Sequence, residues 1–165
     1  MERIIRKAAV TDLATVVDLI NSGRSIMREN GNMHQWDGNY PPVDLLRDDI
    51  EKGYCHLLIE DNVAIATFAL IPGPDVTYAR IYDGRWVDVD KPYYVIHRVA
   101  SLRGYHGNMR DILDFCFKVT DNIRIDTHKD NAPMRHCLLK NGFRYCGIIH
   151  LLDGDDRVAY QKCQS

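Results

Sequence analysis

Tyr93-Tyr94-Val95-Ile96-His97-Arg98-Val99-Ala100-Ser101-Leu102-Arg103-Gly104-Tyr105-His106-Gly107-Asn108-Met109 is the stretch on which the reading of this chain turns. Its first part, Tyr93 to Ala100, is the longest aromatic and β-branched run present and predicts the central strand of a sheet. Ser101 to Met109 contains two glycines and reads as a turn. Beyond it Ile112, Phe115, Cys116 and Val119 recur at i, i+3, i+4 and i+7, the spacing of a helix that buries one stripe. A strand, a glycine-containing turn and a helix in succession aim free main-chain N–H groups and the positive end of the helix dipole at the turn, which suits a pyrophosphate. Gly104 and Gly107 permit close backbone approach, and Arg103, His106 and Arg110 add donors. Glycines also serve simply to make turns, so the motif alone is a weak signal. The turn lacks the GKS or GKT ending of a P-loop and the GxGxxG of a dinucleotide fold, which disfavours nucleotide hydrolysis and hydride transfer.

Upstream, Ile4 and Ile5 suggest an opening strand, and Thr11 to about Glu29 predicts a helix with Thr11 as N-cap and Gly23 as a break or bend. A second short helix is expected near Asp44 to Lys52. Cys55 to Glu60 and Val63 to Leu70 read as antiparallel strands around Asp61-Asn62, with Thr77 to Tyr82 extending the meander and Asp83 to Pro92 forming a loop. Downstream, Asn122 to Thr127 alternates like a strand. Asn131-Ala132-Pro133 has the form of a helix N-cap with proline in the first turn, and Asn141-Gly142 closes that helix. A final hairpin spans Phe143 to Leu152 and Arg157 to Lys162.

The length of 165 residues suits one domain with its own core, spanning 1–165. Lys and Arg number 21 against 23 Asp and Glu, so the surface lacks the basic excess that displaces counterions from nucleic-acid phosphates; a nucleic-acid partner is not expected. Apolar runs of only a few residues and a charged opening argue against a membrane span or a signal-peptide core, and the chain reads as a soluble cytoplasmic protein. The five cysteines form no CxxC pair, and no metal site is expected.

In this order of elements, nearly the whole chain resembles the GNAT family of N-acetyltransferases, which use acetyl-CoA. The resemblance rests on His97-Arg98-Val99-Ala100-Ser101, the turn through Gly107, Asp126-Thr127-His128-Lys129-Asp130-Asn131, and Lys140-Asn141-Gly142-Phe143. Gln35-Trp36-Asp37 with Tyr40-Pro41 is similar to the segment between the first helices of many small bacterial members. The resemblance implies an α/β acyltransferase fold: a mixed, mostly antiparallel sheet flanked by helices, whose central strand splays from a parallel neighbour, Asn122 to Thr127. Unpaired main-chain groups of Val99, Ala100 and Ser101 would then bind the pantetheine arm like an added strand. The diphosphate would lie on Arg103, Gly104, Tyr105, His106, Gly107, Asn108 and Met109, with Asn131 facing the cofactor arm.

Two departures motivate an alternative. Gly104, Gly107 and Met109 stand where the family has Arg or Gln, Gly, and Gly or Ala, and Leu138 stands where many relatives place a tyrosine that protonates the leaving thiolate. A non-catalytic CoA-binding or sensing module is therefore the rival to an N-acetyltransferase. A thiolate, with a thiol pKa of about 8.5, nevertheless leaves without such an acid. The expected reaction is direct attack of a primary amine on acetyl-CoA in a ternary complex, a main-chain N–H near Val99 or Ala100 stabilising the oxyanion. His97 is the first candidate for the proton relay, against a role as a hydrogen-bonded core histidine. Tyr145, like Tyr160, is a candidate proton donor against a role in strand packing, and Trp36, Tyr40 and Asp83 are candidates for binding a small-molecule or peptide amine. Association into a homodimer stays open.

Overall fold

In the computed structural model, which describes residues 2–164, the run quoted above is the middle strand of one seven-stranded sheet. The strands are β1 (Arg3–Lys7), β2 (Cys55–Glu60), β3 (Val63–Pro72), β4 (Tyr94–Ser101), β5 (Asn122–Thr127), β6 (Arg144–His150) and β7 (Asp156–Cys163). The helices are α1 (Leu13–Glu29), α2 (Val43–Glu51), α3 (Asn108–Val119) and α4 (Ala132–Lys140). The spatial order is β1-β2-β3-β4-β5-β7-β6. Every neighbouring pair is antiparallel except β4 and β5, which are parallel. The expected α/β class and mixed, mostly antiparallel sheet are what the structure shows. Among the described residues no helix is long and apolar enough to cross a membrane.

Because successive side chains of a strand point to opposite faces, β2 to β4 are buried on both sides. Leu58, Phe68 and Ile96 pack with Ile112, Cys116 and Leu138 of α3 and α4. Leu57 and Ala100 pack with Val16, Leu19 and Ile20 of α1 and Leu46 and Ile50 of α2. A third cluster, Tyr78, Trp86, Val95, Cys146, Ile149 and Ala159, lies beneath the segment between β3 and β4. Asp61 and Asn62 both have left-handed backbones, φ 48° and 71°, as a two-residue hairpin turn requires.

Four local expectations are corrected. Thr11 caps nothing: a 3₁₀ turn at Val10–Asp12 leads into α1, and it is Asp12 that accepts the Ala9 N–H and the Arg6 guanidinium. Gly23 does not break α1. Thr77 to Tyr82 is not a strand but a 3₁₀ turn, Val76–Tyr78, followed by a lone bridge from Tyr82 to Ile148. Val119, on the predicted stripe, is 50% exposed at the end of α3.

The feature that shapes the molecule is the parting of β4 from β5. They pair only at Tyr94 with Ile123 and at Val95 with Arg124, although β4 runs on to Ser101 and β5 to Thr127. On its other edge β4 carries a bulge: His97 lies opposite Ala69 and Ala100 opposite Thr67, so Arg98 and Val99 together face Phe68. Arg98 takes a left-handed backbone, φ 53°, at a cost of about 1–3 kcal/mol for a residue with a Cβ. Its guanidinium forms a two-pronged pair with Asp49 of α2, Nε to Oδ2 2.7 Å and Nη2 to Oδ1 2.9 Å, which holds the bulge in place.

Beyond the bulge, α1 presses on β4. A Cβ placed on Gly23 would stand 2.7 Å from the Ala100 Cβ and 3.3 Å from Trp36 Cζ3, so only glycine allows the helix this close. Gly23→Val is expected to destabilise the protein by about 1–3 kcal/mol through overpacking. A lower urea midpoint than wild type at unchanged m-value checks this; an unaltered midpoint would show that α1 gives way freely.

Candidate functional site

Two cavities meet in the opening between β4 and β5, sharing Met27, Val99, Asn131 and Met134 on their walls. One, of about 220 Å³, lies among Gly23, Ala100, Ser101, Met109, Ile112 and Cys137, and its lining is mostly apolar. The other, of about 100 Å³, is bounded by Trp36, Tyr40, His97, Asp126 and Arg157.

The first cavity opens towards the start of α3. Gly107 precedes the helix with φ 75°, and no side chain caps the first turn, so its main-chain N–H groups are available to an anion. A Cβ on Gly104 would meet nothing within 4 Å, and one on Gly107 only Arg110 Nη2 at 4.0 Å; the space over the turn is open. Tyr105 and Met109 pack against the core, and Met109 also lines the apolar cavity. Asn108 accepts a hydrogen bond from Arg3, which also pairs with Glu60 and Asp111 and so ties β1 to α3. Arg103 is engaged by Glu29 at the end of α1, and His106 is exposed. An uncapped helix start, an open glycine turn and an apolar channel beside an unpaired strand edge match the diphosphate and pantetheine of a CoA thioester. Cys137 lies on this wall, where burial pushes its thiol up, away from nucleophilic chemistry.

In the second cavity, His97 Nε2 lies 3.1 Å from Asp75 Oδ2. Burial alone pushes the Asp75 carboxyl up, but hydrogen bonds from His97 and from the Thr77 hydroxyl and amide outweigh it and bring the pKa down to about 2. An ionised Asp75 can only accept, so the imidazole proton sits on Nε2 and Nδ1 is left as the basic nitrogen. Close by, the Tyr78 hydroxyl donates to Asp126 Oδ2 at 2.5 Å. Burial, followed by the Asp126 charge, pushes the Tyr78 phenol well above its ordinary value, so it remains a donor. Trp36 is buried against α1 and walls the cavity at the same time; Tyr40 lines it at 44% exposure. Asn131 caps α4 by accepting the Met134 N–H and donates to Gln35, so its side chain is already engaged where it faces both cavities.

Two predicted site residues are not brought here. Tyr145 is 46% exposed on β6, edge-on to Tyr160 at 5.7 Å, and lines neither cavity. Asp83 is exposed in the segment between β3 and β4 and also lines neither. Of its neighbours, Asp88 accepts the Asp90 and Lys91 N–H groups within its own loop. Conversely, Asp75, Tyr78 and Arg157 escaped the sequence reading, and Gln35 entered it only as part of the segment around Trp36. Only the Asp75-x-Thr77 turn pattern signals one of them, and it signals a turn rather than a site.

No protein-family model matches the chain, and no curated protein does either. Among solved structures, a GNAT-family acetyltransferase from Streptococcus agalactiae is 32% identical, with 99% of this chain and 96% of that one covered at a TM-score of 0.90. The chain belongs to the GNAT family of acetyltransferases. More distant likenesses show the same fold. The PaiA N-acetyltransferase of Thermoplasma acidophilum, solved with coenzyme A, is 16% identical, with 99% and 100% of the two chains covered and a TM-score of 0.63. AAC(6')-Ib, solved with ribostamycin and coenzyme A, is also 16% identical, with 99% and 94% covered and a TM-score of 0.67.

The depressed pKa of Asp75 has a consequence for stability. A carboxyl lowered from 3.8 to about 2 contributes stability above pH 4 that is lost as pH falls towards 2. The shift corresponds to about 2 kcal/mol. Asp75→Asn is therefore expected to lower stability at pH 7 and to flatten its decline between pH 4 and 2. Urea midpoints across that range check this, and parallel profiles for the two proteins would refute it.

Proposed function

We propose that the chain, as one domain over residues 1–165, is a cytoplasmic N-acetyltransferase that moves an acetyl group from acetyl-CoA to a primary amine by direct attack in a ternary complex. The observation that carries this reading is the parting of β4 and β5 after Val95, with an apolar cavity and a more polar one meeting at Val99. The solved complexes of PaiA with coenzyme A and of AAC(6')-Ib with coenzyme A and ribostamycin support the donor and the amine class by likeness of fold. Acetyl-CoA supplies a thioester whose acyl carbon takes up the amine while the thiolate leaves.

The remaining work falls to this chain's own groups. The β4 edge at Val99, Ala100 and Ser101 hydrogen-bonds the pantetheine amides, and the amides of the Gly104 to Met109 turn hold the diphosphate. A main-chain N–H at the bulge near Val99 polarises the thioester oxygen. Asp126 draws the cationic amine into the inner cavity, and His97, held by Asp75, takes its proton at Nδ1 directly or through a water. Leu138 is fully buried in the core, so no phenol is offered at that place and the thiolate departs without one.

Calorimetry with acetyl-CoA, followed by thiol release over polyamines, aminoglycosides, amino acids and peptide N-termini, tests the proposal. Binding together with release on at least one amine is expected. Tight binding with no release on any amine would point to the non-catalytic CoA module. Gly107→Asp sets a carboxylate at the α3 start and is expected to weaken CoA binding about tenfold or more while the fold persists, since Asp tolerates a left-handed backbone. Unchanged affinity would misplace the diphosphate. His97→Gln is expected to reduce kcat/KM by about 10²-fold or more, most severely at mildly acidic pH where the amine depends on a base. An unaltered pH profile would return His97 to a packing role.

A further inference from the structure

Three arginines are buried or nearly so around this end of the sheet, and two have their charge answered. Arg98 is paired with Asp49. Arg124 is held between the rings of Trp86 and Tyr93, 4.1 and 4.0 Å from their centroids. Arg157, at the start of β7, is 6% exposed and makes no ion pair among the described residues. Its guanidinium donates only to main-chain carbonyls, Nη1 to Asp156 at 2.9 Å and Nη2 to Gln35 at 3.4 Å. A buried cation without a direct ion pair is costly, and this one stands on the wall common to the inner cavity and a wide groove of about 730 Å³ outside it, whose carboxylates, Asp37, Asp130, Asp155 and Asp156, form no ion pair with it.

Gln35 faces the same cavity with a fixed orientation. Its Oε1 lies 3.3 Å from the His128 N–H and 3.0 Å from Asn131 Nδ2. The first can only donate. The second is fixed as a donor because Asn131 Oδ1 accepts from Met134. Asn32 Nδ2 and the Thr127 hydroxyl converge on the same oxygen at 2.9 and 3.1 Å. The carboxamide therefore cannot flip, and its NH₂ group has no partner among the described residues. A charged donor without an ion pair and a neutral donor without a partner thus stand on a cavity whose lining also holds His97 and Asp126, groups that suit an amine, beside Arg98, which is already paired with Asp49.

We infer that the acceptor is an amino acid, its amine at His97 and Asp126 and its carboxylate read by the Arg157 guanidinium and the Gln35 carboxamide. The inference deepens the acetyltransferase reading and rests on it for the amine. The inner cavity's volume of about 100 Å³, against the roughly 150 Å³ cavity that admits benzene, takes the amine and carboxylate of such a molecule and leaves a larger side chain to the outer groove. A polyamine would set an extra cation against Arg157.

The test uses the whole chain saturated with CoA. Binding of the common amino acids, of their carboxamides, of O-phosphoethanolamine and of spermidine is measured by calorimetry, and thiol release from acetyl-CoA is followed on the same panel. At least one amino acid is expected to bind about 100-fold or more tightly than its carboxamide, because a site built for a group rejects the analogue lacking it. Arg157→Gln is expected to erase that preference while changing carboxamide binding by only a few fold, and Arg157→Lys to restore part of it. A merely structural arginine would move amino acid and carboxamide alike. CoA binding by both variants, measured in parallel, establishes that they are folded. The inference is overturned if carboxamides or spermidine bind as well as amino acids, if O-phosphoethanolamine alone binds, if nothing on the panel binds, or if Arg157→Gln keeps the preference. Carboxylate-dependent binding without thiol release would uphold the carboxylate site at Arg157 and Gln35 and overturn the transferase reading instead.

Discussion

The structure depends on two neighbouring parallel strands that pair at one end and part at the other. Parallel strands ordinarily stay together because each main-chain N–H and C=O left behind in a dry interior is costly. Here three things hold them apart. The bulge at Arg98 and Val99 turns β4 away, the Arg98–Asp49 pair pins that turn to α2, and α1 leans on Ala100 through the gap that Gly23 leaves. The result is a slot with an unpaired strand edge on one wall, closed below by Tyr94, Val95 and their partners on β5.

Each end of the slot takes its character from a different part of the chain. Towards α3 the walls are apolar and end at an uncapped helix start, an environment for a long amide-bearing tail with phosphates behind it. Towards α2 and β7 the walls carry more polar groups, and these come from five separate segments: Gln35, Asp75, His97, Asp126 and Arg157. The low dielectric there strengthens every unbalanced charge. Arg98 and Asp49 cancel each other; Tyr78 steadies Asp126; Arg157 has neither an ion pair nor an aromatic sandwich among the described residues.

The segment joining α1 to α2 is rich in turn formers, yet it is firmly placed. Gln35 accepts hydrogen bonds from the ends of β5 and α4, and Trp36 beside it is buried against α1. One dipeptide thus attaches a connecting segment to the far side of the slot. That makes the segment part of the cavity wall rather than a loose flap, with Tyr40 and its exposed ring at the rim.

The strand, turn and helix around Gly104 and Gly107, the alternation of β5 and the Asn131-Ala132-Pro133 start of α4 were determined by the sequence itself, because local periodicity and turn chemistry act over a few residues. From them followed the fold and the family resemblance. Thr11 and Thr77 to Tyr82 were misread for the converse reason, and Asp83 and Tyr145 stand apart from the two cavities. Whether Asp12 or Thr11 anchors a helix entry is decided by contacts outside the local pattern. So is whether an apolar hexapeptide pairs as a strand or curls over Trp86, and whether a tyrosine points to a cavity or packs on its neighbour. The polar end of the site belonged to tertiary structure alone: Asp75 meets His97 across 22 residues and Arg157 meets Gln35 across 122. No period or motif in one chain encodes such a meeting; it arises only when the folded sheet brings the segments to the same opening.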